Sequence, residues 1–305
     1  VHFWRPNTYA LAPAPVAALF AVMTKVGAYS VLRVYTLVFP DTAPMIDGMI
    51  GAVLVPAAMV TLAIGMIGVL AGGTLARVAA FAAVGSMGTL FLAVAAFTPA
   101  SVAAALYYLV HSTLAGAALF LIVDQVRGAR GNSALTVQAP IPGGGLVAAL
   151  FFASAIALAG MPPLSGFVGK LLILDAIRGQ GWWVWGWALV LGTSLLAVVG
   201  LARAGSVLFW RAHDADAPKA PAGPAPAALG SAALGALLAL IVALTLFAGP
   251  VMGYMQATAV QLFTPLVYVE AVLGPQAAPV AEAAAEADEA TSDPGDEPAP
   301  TEEGP

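Results

Sequence analysis

The sequence predicts an all-α, polytopic membrane protein of about seven transmembrane helices, one of them broken across residues 160–166. Three observations predict it. Apolar residues make up 61% of the 305 residues and charged residues only 9%, where ~25% charge is usual in soluble domains. Mean hydropathy is +0.93. The apolar residues also gather into runs of the ~20 residues a helix needs to cross the hydrocarbon layer.

The spans follow in order. The first covers about 14–39, opened by Pro13 and Pro15, which suit a helix start. The second covers about 48–71, the third 77–98 and the fourth 101–125. The fifth, 146–177, is too long for one straight span. It is cut by Gly160-Met161-Pro162-Pro163-Leu164-Ser165-Gly166, where two prolines remove two backbone donors. The sixth runs about 184–210 and the seventh 227–250. Trp182, Trp183, Trp185 and Trp187 at one end of the sixth, with Trp210 at the other, read as an aromatic belt at both interfaces. The expected organisation is a membrane domain over 1–254, a half-apolar segment over 255–274 and an acidic, disordered tail over 275–305.

Charge is distributed unevenly. Ten of the sixteen carboxylates lie after residue 269, and no glutamate precedes Glu270. Arg5, Arg77, Arg127, Arg130, Arg211 and Lys219 fall on one side of the spans, with Arg203 near it. Arg178 falls on the other side, and Arg33 lies deeper in its span. The basic side is expected to be cytoplasmic, which puts the tail outside. The chain has no cysteine, so disulfides, thiolate metal sites and a cysteine nucleophile are excluded. It opens Val1-His2-Phe3-Trp4 with no signal peptide and reads as the later part of a longer protein.

Two lysines carry the chemistry. Lys25, in Thr24-Lys25-Val26-Gly27, and Lys170, in Gly166-Phe167-Val168-Gly169-Lys170, sit deep in apolar stretches. A lysine at the bilayer centre costs on the order of 2.5–3.5 kcal/mol by insertion scales, and such residues line ion paths or proton relays. Lys25 lies too deep to snorkel easily. Carbonyls freed at 159–163 are expected to solvate Lys170, with Ser165 satisfying backbone or holding water. Asp175, nearer the interface, is a weak candidate partner for Lys170. His111, inside the fourth span, has two readings: a proton shuttle, or a neutral ring donating to the carbonyl four residues back. His2 and His213, at an interface and in a loop, carry no role. No Walker, Rossmann, zincin or nucleophile-elbow pattern appears. No catalytic residue, metal, cofactor or nucleic acid is therefore expected.

At these residues the chain resembles a known family. Ala12-Pro13-Ala14-Pro15-Val16, Thr24-Lys25-Val26-Gly27, Leu106-Tyr107-Tyr108-Leu109-Val110-His111 and the run 160–171 resemble the antiporter-like membrane subunits shared by respiratory complex I and Mrp-type cation/proton antiporters. Residues 32–39 and 106–115 look most like the D-type member of the Mrp set. The resemblance covers about residues 1–210 and implies fourteen core helices with two inverted five-helix repeats. This chain would hold helix eight, the second repeat and helix fourteen. Lys25 matches the family's bridging lysine on helix eight, His111 a histidine of the polar axis, and Lys170 the terminal lysine on broken helix twelve. Ser86 stands where complex I relatives often carry a histidine, and Ala76 where many have a lysine, which implies a thinner polar axis here. Thr24, Ser86 and Ser112 are the expected supporting hydroxyls. The family's glutamate on helix five and lysine on helix seven would lie upstream of Val1. The resemblance implies a proton path in a bacterial inner membrane complex, exchanging H+ for Na+ with other subunits as partners and the lipid bilayer as solvent. A proton-pumping subunit of a redox complex of the complex I or membrane hydrogenase type, and a non-conducting scaffold subunit, are the alternatives it leaves open.

Overall fold

The computed structural model describes residues 5–38, 50–213 and 227–274. The acidic tail, the start of the chain through Trp4, and Lys219 lie outside the described residues. Eleven α-helices are seen among the described residues. A short α1 (Arg5–Leu11) leads into α2 (Ala14–Val38). A π-type turn, Ile50–Leu54, opens α3 (Val55–Ala71), and α4 (Leu75–Ala95) and α5 (Pro99–Arg130) follow. The broken span is α6 (Gly144–Ala159) and α7 (Ser165–Ala176). Then come α8 (Trp183–Gly205), extended by a π-type turn through Trp210, and α9 (Ala228–Leu246), α10 (Ala248–Phe263) and α11 (Leu266–Leu273). Six helices are long and apolar enough to cross a membrane, and α6 is a shorter apolar helix.

The expected spans and the observed helices agree closely, with three differences. The fourth span is longer than its apolar core. Thr98 and Ser101 form a capping box ahead of Val102, and Gly131, in the left-handed region at φ 73°, ends the helix after Arg130. The short α1 carries too few apolar residues to announce itself as a span. The half-apolar stretch after residue 250 is helical, and α10 packs on α5 and α2.

Small residues set the packing. A Cβ at Gly65 would fall on the Gly85 backbone, and one at Gly88 on the backbone of Leu62. Helices α3 and α4 therefore meet backbone to backbone, as membrane helices do where glycine lines the contact. The apolar window of α4 is 89% buried, against 28% for α2 and 22% for α9. So α4 forms the centre of the described chain and α2 lies at its edge, one face toward α4 and α5.

One end of the bundle is tied by arginines. Arg127 donates from Nη1 to the Ala12 carbonyl (3.3 Å) and from Nη2 to that of Ala10. Arg203 donates to Gly72 O (2.6 Å), Arg130 to Leu208 O (2.5 Å) and Arg77 to Asn7 Oδ1 (3.3 Å). Most of these acceptors lie at or beside helix C-termini, where unpaired carbonyls and the helix dipole favour a cation. At the opposite end Gln180 donates to Ala96 O (3.3 Å) and Arg33 lies over the Tyr268 ring (4.4 Å).

Candidate functional site

The break between α6 and α7 is written in two prolines. In a continuous helix the N–H groups of residues 162 and 163 would donate to the carbonyls of Leu158 and Ala159. Pro162 and Pro163, joined by a cis peptide bond, have no N–H to give. The chain instead closes α6 with Gly160 in the left-handed region (φ 76°), its N–H on Ala157 O (3.1 Å) and that of Met161 on Ile156 O (3.1 Å). That leaves the Ala159 carbonyl to another donor. Lys170 supplies it: Nζ donates to Ala159 O at 2.7 Å and to Ser194 Oγ of α8 at 2.8 Å. The stem of Lys170 lies over Gly160, where a Cβ would sit 2.8 Å from Lys170 Cδ. Lys170 is 6% exposed.

Lys25 is 2% exposed although its helix is the peripheral one. Its Nζ donates to Ser86 Oγ at 2.9 Å across to α4. Ser86 passes its own proton to Ala83 O, one turn back (2.8 Å). The position expected to mark a thinner polar axis is thus filled by a hydroxyl that accepts from Lys25. Beside Lys25, an apolar groove of about 380 Å³ opens between α2 and α5, lined by Val22, Val26, Tyr29, Leu106, Leu109 and Val110 among others.

His111 sits between the two. Its ring lies within reach of the charge of Lys170 and, less, of that of Lys25. Its Nδ1 lies 2.8 Å from Ser165 Oγ at the start of α7, and Ser165 Oγ reaches Ile241 O of α9 (3.4 Å). The carbonyl four residues back, that of Tyr107, is not the partner found for this ring. Gly166 makes the approach possible, since a Cβ there would collide with Ala157 O and stand 2.7 Å from His111 Nε2. Of the five break residues named from the sequence, Gly160 lies against Lys170, and Ser165 and Gly166 lie against His111, while Pro162 and Pro163 are exposed and act through the backbone donors they lack. Thr24 and Ser112 bond back to their own helices, at Ala21 O (3.0 Å) and Leu109 O (3.2 Å). Asp175 is not brought to Lys170. It pairs instead with Arg178 (3.3 Å), both well exposed, because it lies one helical turn further out.

The arrangement has a repeating unit. Each basic side chain rests on a serine hydroxyl from a different helix: Lys25 on Ser86, His111 on Ser165, Lys170 on Ser194. A hydroxyl both donates and accepts, so it can partner an ammonium or a neutral amine. Sequence reasoning missed Ser194, a serine whose bond to Val190 O (2.7 Å) makes it resemble any self-satisfied helix serine. No group of three or more His, Asp or Glu side chains comes together among the described residues.

Fold and site define a class: a multi-pass helical membrane domain with a row of basic side chains in its interior. The family model for the transmembrane part of NADH:quinone oxidoreductases and Mrp antiporters matches residues 1–197, and the chain belongs to that family. It is 35% identical over 302 residues to the D component of a probable K(+)/H(+) antiporter of Rhizobium meliloti (strain 1021), covering 89% of this chain and 55% of that protein. It is 35% identical over 283 residues to the D component of the Na(+)/H(+) antiporter of Bacillus subtilis (strain 168), covering 90% and 54%. The chain spans about half the length of these curated relatives. Among solved structures it superposes on the Mrp complex from Dietzia sp. DQ12-45-1b with a TM-score of 0.76 at 26% identity, over 90% of this chain and 58% of that one. It matches respiratory complex I from Thermus thermophilus with a TM-score of 0.70 at 21% identity, over 86% of this chain and 55% of that one, a likeness of fold.

Proposed function

We propose that this chain is the proton-carrying part of a D-type component in a multisubunit cation/proton antiporter, moving protons along Lys25, His111 and Lys170 in exchange for Na+. The observation that carries the reading is the buried row itself. Three basic side chains, each nearly or wholly enclosed, stand on three different helices with hydroxyls and freed carbonyls as their partners. Buried cations of this kind are expensive and are kept where charge must move. The names of the relatives, which belong to Na(+)/H(+) and K(+)/H(+) antiporters, support a monovalent cation as the exchanged ion. With no carboxylate cluster among the described residues, this segment carries the proton and not the metal cation.

The test is sodium-dependent proton flux in everted vesicles holding the full-length subunit in its complete complex. Lys25→Ala lowers exchange on the order of 10²-fold, as loss of a proton-transfer group does, with assembly unchanged. Full exchange in that variant would sink the reading.

Orientation belongs to the same proposal. The arginine-tied end faces the cytoplasm, residues 1–254 form the translocation domain with 255–274 as an apolar extension, and the acidic tail after residue 274 lies outside. A reporter fused after Lys219 reads cytoplasmic and one after Val280 external; the reverse pattern would overturn the assignment.

A further inference from the structure

We propose that Ser194 on α8 is the positioning residue that lets Lys170 exist in both protonation states, and so sets the pH range over which Lys170 works. The inference rests on the reading that Lys170 gains and loses a proton. Lys170 Nζ has two partners at close range, and they differ in kind. The Ala159 carbonyl, at 2.7 Å, can only accept, so it serves the ammonium and offers nothing to the lone pair of a neutral amine. The Ser194 hydroxyl, at 2.8 Å, accepts from the ammonium while its own proton rests on Val190 O at 2.7 Å. When Lys170 releases a proton, rotation about the Cβ–Oγ bond of Ser194 turns that O–H from Val190 O toward Nζ. The amine then accepts where the ammonium donated. No bond between heavy atoms forms or breaks, and Val190 O keeps the backbone N–H of its helix.

Ser194 does not need Lys170 for its own satisfaction, because the bond to Val190 O suffices for a helix serine. Neighbouring Thr193 shows this: it bonds within its helix, to Leu189 O and Val190 O. The helices packed on α7 leave few other groups to set the behaviour of Lys170. Facing it from α5 are His111 and the tyrosines 107 and 108, whose rings line Gly169. Helices α6 and α9 carry no ionisable side chain. The single ionisable residues of α4 and α8, Arg77 and Arg203, are engaged with Asn7 and Gly72. On its own helix Asp175 is paired with Arg178.

The experiment compares Ser194→Ala, Ser194→Thr and Lys170→Ala in the full-length subunit within its assembled complex, reading sodium-dependent proton flux in everted vesicles from pH 6 to 10 (a range of about four units set to bracket lysine titration). A hydrogen bond to a charged group is worth more than one to a neutral group, so the alanine variant loses more on the protonated side. The alkaline limb of the Ser194→Ala profile therefore moves down by roughly one pH unit, and Ser194→Thr restores it. An unmoved profile in Ser194→Ala, with exchange abolished by Lys170→Ala, overturns the role of Ser194 and leaves the antiporter reading standing. A lower rate with an unmoved profile, or a shift that Thr does not restore, also overturns it, since either marks a merely structural effect. Full exchange in Lys170→Ala would overturn the function of Lys170 itself and this inference with it.

Discussion

Lys25 and Lys170 are alike in sequence and unlike in how they are held. Lys170 is anchored by its own neighbourhood: the carbonyl it binds lies eleven residues earlier and is free because Pro163 cannot donate to it. Gly160, Gly166 and Ser165 shape the same corner, so the anchor moves with the α6–α7 break as one piece. Lys25 is anchored from a distance, by Ser86 sixty-one positions away on the central α4, while its own helix lies at the edge beside an open groove. A shift of α2 against α4 would part Lys25 from Ser86, and the same shift would leave Lys170 and Ala159 together. Lys170 thus keeps a local backbone anchor beside its bond to Ser194 of α8, whereas Lys25 reports on the register of α2 against α4.

Substitutions can break this contrast. The largest effect is expected at the break: Gly166→Val drives side-chain atoms into Ala157 O and the His111 ring, costing about 1–3 kcal/mol as overpacking does. It should lower the melting temperature of the purified complex and abolish most exchange. A variant of normal stability and flux would mean the corner is not tight. Ser86→Ala comes next. It removes a hydrogen bond to a charged group, worth ~1.5–3 kcal/mol, and should slow exchange several-fold, while Ser86→Thr retains it. Equal rates in the two variants would show that Lys25 does not depend on this hydroxyl. The smallest effect belongs to α2 itself. A Cβ added at Gly27 would meet nothing within 4 Å, so Gly27→Ala should be neutral or stabilise by about 0.5–1 kcal/mol. Measured destabilisation there would place α2 in tighter packing than its edge position implies.

Much of this is legible in the sequence, for reasons that differ by residue. Lys25, His111 and Lys170 stand out because ionisable groups in apolar runs are rare, and the prolines at 162 and 163 mark the break because the missing donors are chemical facts of the residue. The partners are less legible. Ser86 reads as a gap in the axis because its value lies in facing Lys25 across two helices. Ser194 gives no signal because a serine bonded to its own helix has the same sequence context whether or not a cation lies against it. The Asp175 pairing with Arg178 follows from one turn of helix, which places the carboxylate beyond reach of Lys170. The short α1 escapes because hydropathy finds spans, and a seven-residue helix at the rim is not one.

The arginines at one end of the bundle give the fold a polarity that its apolar packing does not. Arg127 holds two carbonyls with one planar fork, so a lysine there, with a single point of charge, would keep the charge and lose the clasp. Charged hydrogen bonds join separate helices at this rim, while the other rim is joined by amide and indole hydrogen bonds and ring contacts, its Asp175–Arg178 ion pair being local and exposed. The helices therefore resemble the ribs of a fan pinned at its base. Equal angular displacements of two ribs carry their far tips furthest apart, so the pinned rim is where the molecule keeps its shape and the opposite rim is where small rotations become visible openings.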